Sequence, residues 1–170
     1  MQGPIMSYLE YDHARLDHQL KSAAAVFRDD VHPDEYARFR TGLLRHIGLE
    51  ERILFPAMAK HWGPEVLRDV RQIHLDHGAI ASLLMVPPAP SVIAALRGIL
   101  HLHDRLEERE GGVYRTCEEF AGRQAREIAI KLMSAPPVPV APINGRPEVL
   151  EMAQRALVRA GYFIDLNVIV

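Results

Sequence analysis

Two stretches of this chain set histidine and glutamate four residues apart among large apolar side chains: "HIGLEERILFP" (His46 to Pro56) and "HDRLEEREGGVY" (His103 to Tyr114). Residues four apart share one face of a helix, so His46 points with Glu50 and His103 with Glu107. Two other segments echo each other, "LEYDHARLDHQL" (Leu9 to Leu20) and "IHLDHGAIASLL" (Ile73 to Leu84), pairing Asp12-His13 with Asp76-His77. The chain is therefore a twofold repeat in which each half delivers two histidines and one glutamate. Imidazole nitrogen with carboxylate oxygen is a donor set that suits iron, manganese and zinc. His13, His46, His77 and His103 supply terminal nitrogens, and Glu50 and Glu107, one from each half, are placed to bridge two cations. Buried together without metal, the two glutamates would repel and resist ionisation.

Each of these residues has a plainer reading. A lone histidine on an apolar stripe is usually a satisfied core residue; four at compatible heights beside two glutamates favour ligation. His74, one turn before His77, and Glu10, in the equivalent place before His13, are candidate extra ligands, with surface or outer contacts as the alternative. Asp12 and Asp76 are either hydrogen-bonding partners of neighbouring groups or solvated acids. Glu51 and Glu108 lie about 100° further round their helices and are expected in solvent. His18, His32, His61 and His101 are expected to be exposed. His61 and Glu65 have the same spacing as the two pairs, but a Trp-Gly-Pro turn separates them and the spacing carries nothing. Tyr114, Phe55, Phe39 and Trp62 fit core packing better than redox partnership, and Cys117 a buried thiol.

Helices must position these groups, since strand signals are nearly absent before the last residues. Apolar periodicity predicts helices from Ser7 to about Arg28, Pro33 to Lys60, Pro64 to about Leu84, and Ser91 onward, with a kink or break at Gly111-Gly112 and resumption through Leu132. Short connections between long amphipathic helices imply an all-α, up-down antiparallel four-helix bundle. Folding the first two helices about a turn near Asp30 leaves His13 and His46 each roughly 25 Å from it, so they sit level. His46, Glu50 and His77 are likewise level about a turn near Trp62. His103 and Glu107 are offset from His77 by about one to two turns, a difference that loop residues must absorb.

A length of 170 residues fits one domain with a substantial core. A net charge of -2 gives no basic footprint for nucleic acid. No apolar run approaches the roughly 20 residues that span a bilayer, and the start lacks a basic-then-apolar leader. One cysteine excludes an intrachain disulfide or a CxxC metal site. These absences lead to the expectation of a cytoplasmic protein. The bundle is expected over residues 1–134, a Pro-rich linker, "SAPPVPVAPINGRP", over 135–147, and a helix with a tail over 148–170. The apolar stripe of that last helix is expected to pack on the bundle or on a second chain, giving a possible homodimer.

Taken in order, DH, HxxxEE-x-ILFP, DH and HxxxEE over residues 7 to 134 resemble the hemerythrin-like HHE cation-binding family. The resemblance implies two iron ions bridged by carboxylates and an oxygen species, with activities from dioxygen binding to iron or redox sensing. Zinc or manganese are possible substitutes. Oxygen-carrying hemerythrins have HxxxH on the third helix and HxxxxD on the fourth, where this chain has His74/His77 as HxxH and His103/Glu107 as HxxxE. The function expected is therefore a di-iron protein that binds or senses dioxygen, nitric oxide, peroxide or iron. The alternatives are a di-iron enzyme (peroxidase or iron-sulfur repair) and an interaction module with a structural metal.

Overall fold

A computed structural model of the chain describes residues 3–24 and 31–166. The expected end of the first helix near Arg28, with Phe27 and the turn at Asp30, lies outside the described residues, as do Val168 and Ile169. The described residues are helical apart from loops and one isolated bridge between Ala24 and Val31. Five helices open on a proline: α1 (Pro4–Ala23), α2 (Pro33–Leu49), α4 (Pro64–Leu83), α5 (Pro90–Glu108) and α8 (Pro147–Ala160). A first-turn N–H has no intrahelical partner, so proline there loses no bond and arrives with helical φ. The amides of Ile5 and Met6 in the first turn of α1 instead meet Glu118 Oε2, at 2.8 and 3.2 Å.

The second predicted helix keeps its path but changes its winding. After α2, a π-helical turn covers Glu50–Leu54, α3 covers Phe55–Met58, and a 3-10 turn closes at His61. Pro56 explains this change. It has no N–H for the carbonyl of Arg52 and its ring would clash there, so the backbone widens and Phe55 N–H reaches back to Glu50 O. The π-turn therefore begins on a residue of the repeat. The second break is at Gly111-Gly112, where Gly111 takes φ 71°, a left-handed value that a side chain would strain. Helix resumes as α6 (Val113–Ala121) and, after a 3-10 turn, α7 (Ala125–Ser134).

Residue pairings show antiparallel neighbours. Tyr8 meets Arg45 while Leu16 lies beside Gly42, so α1 and α2 run oppositely. Asp69 pairs with Arg109 and Asp76 with His103, giving the same for α4 and α5. Apolar residues gather into two clusters along these helices. One contains Leu16, Phe39, Leu43, Ile80 and Leu96; the other contains Leu9, Leu49, Leu54, Ile73 and Tyr114. The histidine and glutamate layer of the repeat falls between them in sequence on every helix, so apolar side chains exclude water from both sides.

The C-terminal helix joins this core. Ala153, Leu157 and Leu166 are fully buried in the first cluster, and Gln72 of α4 donates to Ala160 O at 2.9 Å. The linker before it is pinned: Asn144 N–H donates to Met85 O at 2.9 Å, and Arg40 donates to Ala141 O. No helix among the described residues is long and apolar enough to cross a membrane.

Candidate metal centre

The helices bring His13, His46, Glu50, His77, His103 and Glu107 into one buried layer. Glu50 and Glu107 are 0% exposed, and among the histidines only the edge of His13 reaches solvent. Their donor atoms form two groups that could each hold a metal ion: His13, His46, Glu50 and Glu107, and His77, His103, Glu50 and Glu107. Both glutamates belong to both groups, and each sends one oxygen to each. Glu50 Oε1 is 3.5 Å from His46 Nε2, and its Oε2 is 3.1 Å from His77 Nε2. Glu107 Oε2 is 3.4 Å from His13 Nε2, and its Oε1 is 3.3 Å from His103 Nε2. With metal-ligand bonds of about 2.1 Å, donors at right angles stand about 3 Å apart, so these separations are those of neighbouring ligands. The offset foreseen for His103 is absorbed by the 84–89 connection; its ring centroid lies 4.9 Å from that of His77.

Every histidine is held from behind by a carboxylate, and the twofold repeat is kept. His46 Nδ1 lies 3.0 Å from Asp12 Oδ2, and His103 Nδ1 lies 3.4 Å from Asp76 Oδ2. His13 Nδ1 lies 2.6 Å from Glu108 Oε1, and His77 Nδ1 lies 2.6 Å from Glu51 Oε1. An ionised carboxylate only accepts, so each Nδ1 carries a hydrogen and each Nε2 is left facing the layer as the atom that can bind a metal once it is unprotonated; His13 Nε2 and His46 Nε2 stand 2.9 Å apart there. The carboxylates thus fix tautomer and ring orientation at once, as metal-binding histidines require. The aspartates are themselves fixed, Asp12 by Arg15 and Asp76 by Gln72 and Tyr162. They are buried rather than solvated. Glu108 is exposed, as expected, and Glu51 is half-buried, yet each reaches across to a histidine of another helix and neither is a free surface acid.

Electrostatics test whether this set fits a cation. Burial opposes a charged imidazole, but the carboxylates of Glu50 and Asp12 outweigh it and raise His46 to about 10. Burial and the negative Glu50 push Glu107 well above the usual carboxylate range. Glu50 is held low, because His46 and His77 overcome the cost of its burial. The cluster thus draws in protons to balance buried negative charge. Its inward atoms are also orphaned: Glu50 Oε2, His77 Nε2 and both oxygens of Glu107 are buried without a hydrogen-bond partner. The 3.1 Å between Glu50 Oε2 and His77 Nε2 is short but not aligned for a hydrogen bond. Unpaired buried polar atoms are costly, and cations at the two positions would satisfy all of them. The residues present fit a metal.

Tyr114 differs from the reading as core packing alone. It is fully buried, and its hydroxyl donates to Glu50 Oε1 while lying 3.1 Å from His13 Nε2 and 3.3 Å from His46 Nε2. On the other side Phe55 stacks on His77 with its centroid 6.2 Å away. The only sequence signal for Tyr114 was its place seven residues after Glu107, and the Gly-Gly break hid its face. His74 stays outside both four-donor groups. Its Nδ1 meets Glu51 Oε1 at 2.7 Å in an outer group with His77. Glu10 enters none of the groups found among the described residues. His18, His32, His61 and His101 are exposed. Cys117 is buried, and burial raises its thiol to about 12. The chain matches no known protein-family model, and neither a curated protein nor a solved structure matches it.

Proposed function

We propose that this protein is a hemerythrin-like four-helix up-down bundle that holds two iron ions, bridged by Glu50 and Glu107, and binds or senses dioxygen, nitric oxide or peroxide. The observation that carries the reading is the pair of donor groups sharing both glutamates, with the inward oxygens left unsatisfied. His13 and His46 serve one ion, His77 and His103 the other. Nitrogen and carboxylate donors without thiolate suit iron or manganese, and the bound pair would supply redox chemistry toward a small oxidant.

The chain's own residues prepare that chemistry. Asp12, Glu51, Asp76 and Glu108 hold the rings in place. The two apolar clusters keep bulk water away. Tyr114 adds an oxygen to the His13/His46 position alone, which makes the two positions inequivalent, and its hydroxyl can hold a proton beside Glu50. A cavity of about 410 Å³ reaches His13, His46 and His103. A closed structural site would have no use for such an opening.

The test is anaerobic purification from iron-supplemented cells, metal analysis, and visible spectra before and after exposure to oxygen. About two irons per chain and an oxygen-dependent band are expected. One metal or fewer per chain in gently purified protein sinks the dinuclear reading. Two metals with no spectral response to oxygen, nitric oxide or peroxide sink the sensing role.

A further inference from the structure

The two halves of the repeat differ most where each leaves the metal layer and runs toward the 84–89 end. In the second half this region is filled. Ile80 and Leu84 are fully buried, and Leu44 and Ile47 pack against the cluster they belong to. Arg40 lies across the opening and donates its Nε–H to Leu84 O at 2.6 Å. The linker closes over it, with Val138 against Gly48. The equivalent region of the first half is the 410 Å³ cavity between α1, α2 and α5. Asp17, Lys21, His101 and Asp104 line it where the second half has Ala81, Met85, Leu44 and Ile47. Arg97 is the repeat partner of Arg40, but it is exposed at the cavity mouth. It makes no hydrogen bond or ion pair among the described residues, whereas Lys21 is paired with Asp17.

The size of the cavity decides what it could hold. A water-sized molecule takes about 30 Å³, so this volume far exceeds the need of a diatomic or peroxide and falls among pockets that hold organic ligands. Leu16, Leu20, Leu43 and Leu100 form an apolar wall leading to His13 and His46. Arg97 and His103 lie on one helix, six positions apart, so the mouth and the metal layer are separated by about 9 Å. We propose that the cavity binds a medium-chain or aryl carboxylic acid, with its carboxylate on Arg97 and its apolar body on the leucines, ending beside the His13/His46 group. The placement beside a metal rests on the function proposed above; the cavity and its charged mouth do not.

The experiment is calorimetric titration of octanoate into the full-length protein, with 1-octanol and octylammonium as head-group controls and metal content measured on the same sample. Saturable octanoate binding is expected. Arg97→Gln should weaken it roughly tenfold to a hundredfold, as loss of a charged hydrogen-bond partner does, and Leu100→Trp should abolish it by filling the cavity. Both variants should keep the wild-type circular dichroism and metal content. No binding overturns the proposal, as does equal affinity in Arg97→Gln, or octanol or octylammonium binding as tightly as octanoate. Arg97-dependent binding by protein that takes up no metal supports the pocket and sinks only the di-iron reading. Metal-loaded protein that ignores octanoate does the reverse.

Discussion

Replacing Glu107 with methionine should change sign with metal. The two side chains are close in length and volume, and the site is fully buried, so packing is nearly conserved. In the metal-free protein the substitution removes two oxygens that have no hydrogen-bond partner. It also removes a carboxyl that burial and Glu50 push well above its ordinary range. An unsatisfied buried polar group costs about 1–3 kcal/mol. The metal-free variant should therefore be more stable than wild type by about 2 kcal/mol, or about 4–8 °C in Tm for a chain of this size. In the loaded protein Glu107 is a donor to both positions. Ligand that binds only the native state adds about 2.7 kcal/mol at a hundredfold excess over Kd, and the variant should forfeit most of that. Thermal melts by far-UV circular dichroism, with chelator and with iron(II) under anaerobic conditions, would show the two curves exchanging order. If Glu107→Met lowers the stability of the chelated protein by 2 kcal/mol or more, the layer is a satisfied polar network and the argument from orphaned oxygens is wrong.

Stability of the metal-free protein should fall as pH rises from 7 to 9. His46 is raised to about 10 in the fold, so the native state holds a proton that the unfolded chain has released above about 6.5. This contribution is fully present below the unfolded pKa and is lost as pH climbs toward 10, at up to about 1.4 kcal/mol per pH unit. Urea titrations showing a flat or rising profile over that window would contradict it. Glu51→Gln and Glu108→Gln should each weaken metal binding about 10- to 100-fold, since outer partners of ligating histidines commonly matter that much. Competition with a chromophoric chelator measures this, and a change under twofold would return both acids to the role of surface residues. Tyr114→Phe should retain two metals but shift the visible spectrum of the oxidised protein, because it removes the hydroxyl beside Glu50, His13 and His46; an unchanged spectrum would leave Tyr114 as a packing residue that hydrogen-bonds Glu50.

What could be read from the amino-acid order was whatever stays in phase along a single helix. His46 and Glu50, or His103 and Glu107, are one turn apart, and the apolar residues around them fix which face looks inward. Hydrophobic periodicity therefore located six side chains that the structure brings into one layer. It placed Glu51 and Glu108 toward solvent, where Glu108 is exposed, but did not foresee their histidine partners, because angular position decides only where a Cβ points. A glutamate has three further torsions, and from an edge position it spans to the next helix, where a buried imidazole N–H offers a better partner than water. It put Tyr114 in the core, where the ring is buried, but did not foresee its hydroxyl against Glu50. Helical phase is lost at Gly111, where φ of 71° turns the chain, and nothing before the turn dictates the face on which Tyr114 emerges.

The same limit explains why the sequence looked more symmetric than the molecule is. The repeated motifs contain the residues that both halves must share to surround two adjacent positions. The residues that distinguish the halves lie between the shared positions, as Asp17 against Ala81 and Asp104 against Ile47 do, or are identical in type. Arg40 and Arg97 are the same amino acid at the same place in the repeat, yet one bridges Leu84 O and Ala141 O while the other has no partner among the described residues and lines the cavity. Val138 and Ala141 of the linker lie over the α2 side, and among the described residues the α1–α5 side has no counterpart. Tyr114 falls on that same open side, against His13 and His46. A twofold donor set thus acquires one enclosed and one approachable half from segments that contribute no ligand, and any difference in reactivity between the two halves should be traced to these segments before the ligands themselves.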